Sequence, residues 1–302
     1  MQDRRARNLL VALLIAYAFA RVLQIFPTRV PTLLIVVLHV LQPAAFALLH
    51  GRRLFGTRGI LAFSFFCLAS AVFFESLSLR TGVPFGHYTF TSMMGPKILQ
   101  LPVLLALAYL GVGYCSWVLA SLILSAEPCT RTALWVAPIL ASIVMTAWDL
   151  AMDPVWANID HAWIWFQGGA WFGVPVGNYF GWFLTNWVGY QAVALWLRRR
   201  TISAASVPPA WNRLAVLMYA VTAAGNLFLA VPSALPASIP ATIADAAGRH
   251  WPACHAVYAS ILISVLVMTP FALIAWMRSA HSARMDSPTP PPAAQLSNRV
   301  AV

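Results

Sequence analysis

Asp149 and Asp153 stand four residues apart in AWDLAMDP, a spacing that puts both carboxyl groups on one face of a continuing helix. Two carboxyl groups held together in a dry site share a proton, and the protonated member can serve as a general acid. Glu75 follows Phe73 and Phe74 inside an apolar run, and an ionisable side chain at membrane depth is a functional-site candidate by default. Seven of the thirteen tryptophans lie between Ala147 and Trp187, so acids and π faces gather in one stretch of a chain otherwise poor in carboxylates. Aromatic faces stack on flat apolar ligands and stabilise a cation through their quadrupole. Carboxylic acid beside indole therefore points to a general acid next to a π-lined pocket.

Each candidate has a plainer alternative. Asp149 and Asp153 also suit a helix-end cap or ion pairs with Arg80 or Lys97, and Glu75 suits a hydrogen bond tying two helices. Trp148 and Trp182 are the candidates for a π-lined pocket, with Trp165 beside them. Trp163, Trp165 and Trp171 equally fit the aromatic belt of a membrane interface. Tyr88 and Tyr179 are placed to orient water or a carboxylate. Asn178 and Asn186 serve either a site or an interhelical contact. His87 and His161 are candidates for proton handling. Pro154 disfavours helical backbone at Asp153, so the helix carrying the pair is predicted to end there.

These residues need a scaffold of membrane helices. The chain is 61% hydrophobic and 9% charged, too apolar for a soluble domain, and the fold class is all-α, polytopic integral membrane. Eight spans are expected: 8–26, 32–49, 60–79, 98–124, 132–150, 174–197, 211–231 and 253–277. An Arg-bearing loop is expected at 51–59, and a stretch re-entering the membrane or lying along its interface between the fifth and sixth spans. The first span also has the basic start and small residues of a signal peptide, an alternative the sequence leaves open. One transmembrane domain is expected over 1–278, followed by a disordered Pro-rich cytoplasmic tail over 279–302. Eight spans put both termini on one side, and that side collects fourteen of the nineteen Lys and Arg residues. The positive-inside rule makes it cytoplasmic, in the inner membrane of the cell. Glu75, Asp149, Asp153, Asp160 and Asp245 then fall near the outer leaflet.

Other classes recede. The net charge of +11 resides in short clusters at the ends of apolar runs, a topology signal rather than a nucleic-acid surface. Histidine and cysteine spacings form no metal motif, and no phosphate loop or nucleophile elbow is present. No internal repeat suggests a transporter built of duplicated halves.

Three segments carry a family likeness: FFESLSLRTGVPFGHYTFTSMMGPKILQLPV from Phe73, WDLAMDP from Trp148 and WIWFQGGAWFGVPVGNYFGW from Trp163. In this order they resemble the membrane carotenoid-biosynthesis proteins, among them carotenoid 1',2'-hydratases and bisanhydrobacterioruberin hydratases. The resemblance spans about residues 60–197. It implies addition of water across the terminal C1=C2 bond of an acyclic (ψ) end group, as in lycopene or γ-carotene. It implies no cofactor, and as partners a polyene in the bilayer, water, membrane lipid and other enzymes of the pathway. It carries over no catalytic residues, so roles rest on chemistry. Asp149 is the expected acid, with Glu75 next. Asp153 orients water or tunes the acid, Trp148, Trp182 and Tyr88 flank the cation, and Asn178 holds water or a carboxylate. The competing readings are a lycopene cyclase-like enzyme, a proton-coupled transporter and a pigment-binding subunit without turnover.

Overall fold

A computed structural model describes residues 2–125, 130–199, 209–234 and 239–285. The protein is a bundle of helices: α1 (Gln2–Leu23), α2 (Thr32–Thr81), α3 (Val103–Ile123), α4 (Ala137–Asn158), α5 (Val176–Arg198), α6 (Pro209–Gly225), α7 (Ala253–Ile263) and α8 (Thr269–Met285). A π-helical turn, Thr132–Val136, leads into α4, another, Ser264–Met268, joins α7 to α8, and a 3-10 turn, Asn226–Ala230, extends α6. Among the described residues, six helices are long and apolar enough to cross a membrane: Arg4–Leu23, Thr32–Thr81, Val103–Ile123, Thr132–Asn158, Ala210–Ala230 and Ala253–Ser279. The protein is a membrane protein. α5 is also 23 residues long, but polar Asn178, Thr185, Asn186 and Gln191 dilute it.

α2 has 50 residues, about 75 Å if straight, more than twice the ~30 Å of a bilayer core. Gly56, at φ 72 and ψ 172, breaks it. The chain folds back there, because Ile60 Cγ1 would lie 2.9 Å from a Cβ placed on Gly51. A straight helix holds those residues about 13 Å apart. The loop expected over 51–59 is thus a single non-helical glycine between helical arms, 32–55 and 57–81. A residue without Cβ is suited to this positive φ, and the Arg-rich flank stays helical around it.

Two further expectations are corrected. The fourth span starts at Val103, because Lys97–Ile98 (β2) and Leu101–Pro102 (β3) form a small hairpin before it. α4 runs through Pro154 to Asn158 instead of ending at Asp153. Proline cannot supply the N–H that Leu150 O would accept at i−4. Trp171 Nε1 donates to that oxygen instead, at 3.2 Å. The expected domain boundary at 278 lies inside α8, which continues to Met285, and residues 286–302 lie outside the described residues.

α3 sits in the middle, packed on α2, α4, α6 and α8, and is buried on nearly every side. Gly111 lets it approach α2, where an added Cβ would meet Ala44 N at 2.6 Å. α1 packs on α2 and α6, with Tyr17 OH donating to Thr222 Oγ1 at 3.1 Å. One end of the bundle is capped by paired segments. Tyr88–Phe90 (β1) runs antiparallel to Trp163–Trp165 (β4), and Thr242–Ala244 (β5) to His250–Pro252 (β6).

Candidate active site

Glu75, Asp149 and Asp153 come from two elements and meet at the capped end. Glu75 lies near the end of the second arm of α2. Asp149 and Asp153 share one face of α4, a face that survives because α4 passes Pro154. Each is no more than 3% exposed. Asn178, in the first turn of α5, bridges the aspartates: its Nδ2 donates to Asp149 Oδ2 at 3.0 Å and to Asp153 Oδ2 at 2.7 Å. Trp163 Nε1 donates to Asp153 Oδ1 at 2.7 Å. Tyr88 OH donates to Glu75 Oε2, and Tyr109 OH to Glu75 Oε1 at 3.1 Å. Among the described residues, Asp149 Oδ1 is the one oxygen of the three carboxyl groups that is buried without a partner. Neither Arg80 nor Lys97 forms an ion pair with the set.

The β1–β4 pairing makes the roof. Its register sets Tyr88 opposite Trp165 and Phe90 opposite Trp163, so all four rings face inward while Thr89 and Ile164 face out. Tyr88 lies 4.8 Å from Trp165, centroid to centroid. Burial first, and then the neighbouring Glu75 charge and hydrogen bond, hold the Tyr88 phenol well above its ordinary pKa, so it serves as a donor rather than a phenolate. On the opposite wall Trp182 stacks on Tyr109 at 4.5 Å and 7°, and Trp148 meets Trp182 edge-on at 5.9 Å. Between roof and wall is a cavity of about 20 Å³, lined by Glu75, Asp153 and Asn178 together with aromatic rings. That is room for about one water.

Most of the expected residues therefore meet: Glu75, Asp149, Asp153, Asn178, Tyr88, Trp148, Trp165 and Trp182. Trp165 Nε1 points toward Asp153 but lies outside hydrogen-bond geometry. The Tyr179 hydroxyl is buried near the aspartates without a partner and does not line the cavity. His87 stands apart: it is exposed, and its ring lies over Gly82, at the end of α2. The Asp149 side chain, one turn before Asp153 on α4, is also absent from the cavity wall. One site residue went unnoticed in the sequence: Tyr109 is a lone hydroxyl in the apolar run LALAYLGV. Trp163, weighed above as part of an aromatic belt, alternates with Trp165 in WIW, the period of a strand that turns both indoles to one side.

Residues 30–246, well over half of the chain and every side chain of this site, match the family of carotenoid biosynthesis proteins. The chain belongs to that family. No curated protein and no solved structure matches it. Membership in the carotenoid biosynthesis family places the protein in carotenoid metabolism and agrees with the likeness read from the three sequence segments.

Proposed function

We propose that the protein is a cofactor-independent carotenoid hydratase that adds water across the terminal C1=C2 bond of an acyclic end group of lycopene or γ-carotene type. The observation that carries this reading is the hydrogen-bond pattern of the three buried carboxyl groups. Asp153 meets a fixed N–H donor at each oxygen, so it acts as an acceptor twice over. Asp149 has one oxygen engaged by Asn178 and one free, which makes Oδ1 the place for a proton. An acid beside a fixed base, inside aromatic walls, is the equipment that alkene hydration needs.

In this mechanism the proton of Asp149 passes to C2 of the end group, and its C–H bond forms as the π bond breaks. Positive charge develops at C1, a tertiary centre, between the faces of Trp182, Trp148 and Tyr88. Water attacks C1, and its surplus proton goes to Asp153, from which the pair returns to its starting state. Glu75, gripped by two tyrosines on the cavity wall, orients the water and is the alternative proton source. The substrate is taken from the bilayer. With the two arms of α2 and α5 counted as separate crossings the chain has eight spans, and with the arginine-rich side taken as cytoplasmic the termini face the cytoplasm from the inner membrane and the site faces the outer leaflet.

The test is expression in a bacterium that accumulates lycopene, in medium containing H₂¹⁸O, followed by mass spectrometry of the pigments. A carotenoid heavier by one labelled water is the expected product, lost with Asp149→Asn. An altered absorption spectrum at unchanged mass would instead establish cyclisation. Label incorporation unaffected by both Asp149→Asn and Glu75→Gln would overturn the assignment of the acid.

A further inference from the structure

A second, larger cavity of about 70 Å³ lies at the same end of the bundle, walled by α1, the start of α2, the end of α4 and α7. Its character is unlike that of the first. Arg21, His39, Asp160, Asn226 and Ser260 line it. Arg21 is buried, its guanidinium shared between His39 Nδ1 at 3.2 Å and Asn226 Oδ1. No carboxylate among the described residues lies within ion-pair distance of it, and Asp160 acts on it only through space. Ser260 is 1% exposed, and its Oγ has no hydrogen-bond partner although the residue forms part of the wall. A buried hydroxyl left unpaired is costly. A polar cavity roomy enough for water relieves that cost, and about 70 Å³ has room for a few molecules.

Trp148 is a wall of this cavity and also abuts Trp182, which lines the carboxylate cavity. One indole thus stands between a polar chamber and a site that, on the reading above, consumes water. We propose that the Arg21 cavity is a hydrated antechamber that supplies the reacting water to the carboxylate centre, with Trp148 as the partition. The inference rests on the hydratase reading for the use of the water, though not for its presence. The buried charge of Arg21 admits neutral water and opposes hydronium, as a cationic side chain does in a water-selective pore. The acid and base of the site then keep their own proton while solvent oxygen arrives.

Millisecond hydroxyl-radical footprinting of the intact protein in lipid nanodiscs tests this, because bound water converts to radicals that oxidise its neighbours. Met152 and Trp156 line the chamber, while Met145 and Trp117 are as deeply buried away from it. Oxidation of the first pair several-fold above the second is expected, and equal protection would overturn the chamber. Ser260→Leu, which fills the space, is expected to remove that excess and to lower hydration about tenfold or more, because a reactant lost from its position costs orders of magnitude in rate. Ser260→Ala controls for folding and is expected to keep most of both signals. If Ser260→Leu abolishes the oxidation and hydration continues at the wild-type rate, the supply role is overturned while the hydratase reading stands. If Met152 and Trp156 are oxidised and no hydrated carotenoid is ever formed, the hydratase reading fails, and the supply role with it.

Discussion

At the scale of single residues, the site is a division of labour imposed by hydrogen-bond donors. Asn178 and Trp163 cannot accept at the atoms they present, so both oxygens of Asp153 face donors while Asp149 Oδ1 is left free. Asp149→Asn is expected to lower hydration by about 10²–10⁴, the range for a missing general acid, read as product formed per hour from a fixed pigment load. Tyr109→Phe removes only one of two donors to Glu75 and is expected to cost far less in the same assay. Asp160, outside the helices, gives a pH signature. Burial raises its carboxyl pKa to about 7, against the opposing pull of Arg21. The folded state therefore binds its proton more tightly than the unfolded chain does. The resulting stability is full below about 4, declines as pH rises, and is gone once pH has passed about 7. Thermal unfolding across that window should show the decline, and Asp160→Asn should flatten it. Asp149, Asp153 and Glu75 were legible in sequence because carboxylates are scarce in an apolar chain. Tyr109 was not: its partner Glu75 lies 34 residues away, and only the fold joins them.

At the scale of elements, the α4 face that carries both aspartates depends on a contact that no local rule foretells. The spacing of Asp149 and Asp153 was readable, and so was the threat from Pro154. The rescue was not, because the donor to Leu150 O comes from Trp171, 21 residues on. Trp171→Phe keeps the ring and removes the donor. It is expected to cost about 1–3 kcal/mol, seen as a lower Tm, and to reduce activity by loosening the turn that holds Asp153. The sharp turn in α2 was half legible: the arginines over 51–59 marked a boundary, but not that helix would continue on both sides of Gly56. The roof over the site is two three-residue strands, and a cavity of about 20 Å³ does not admit a carotenoid end. On the hydratase reading, the β1–β4 pair opens when the end group binds. Amides of Tyr88–Phe90 and Trp163–Trp165 should exchange with D₂O faster than those of α3, and slow when lycopene is present.

At the scale of the molecule, the acids, the roof and the polar chamber all lie at one end of the bundle. The opposite end, around Gly56 and His50, is built for packing: His50 is held by Tyr114 OH at 2.6 Å and by Trp211 O at 3.0 Å. On the hydratase reading, a long polyene with one tip between Trp182 and Tyr88 stands roughly across the bilayer with its far tip beside the other leaflet, where no second set of carboxyl groups is found among the described residues. Such an enzyme is distributive. A substrate with two reactive tips must leave, reverse its direction in the membrane and return before its second tip is hydrated. The singly hydrated pigment should therefore build up early in a time course and be released into the lipid pool, where any other enzyme that recognises the untouched tip competes for it.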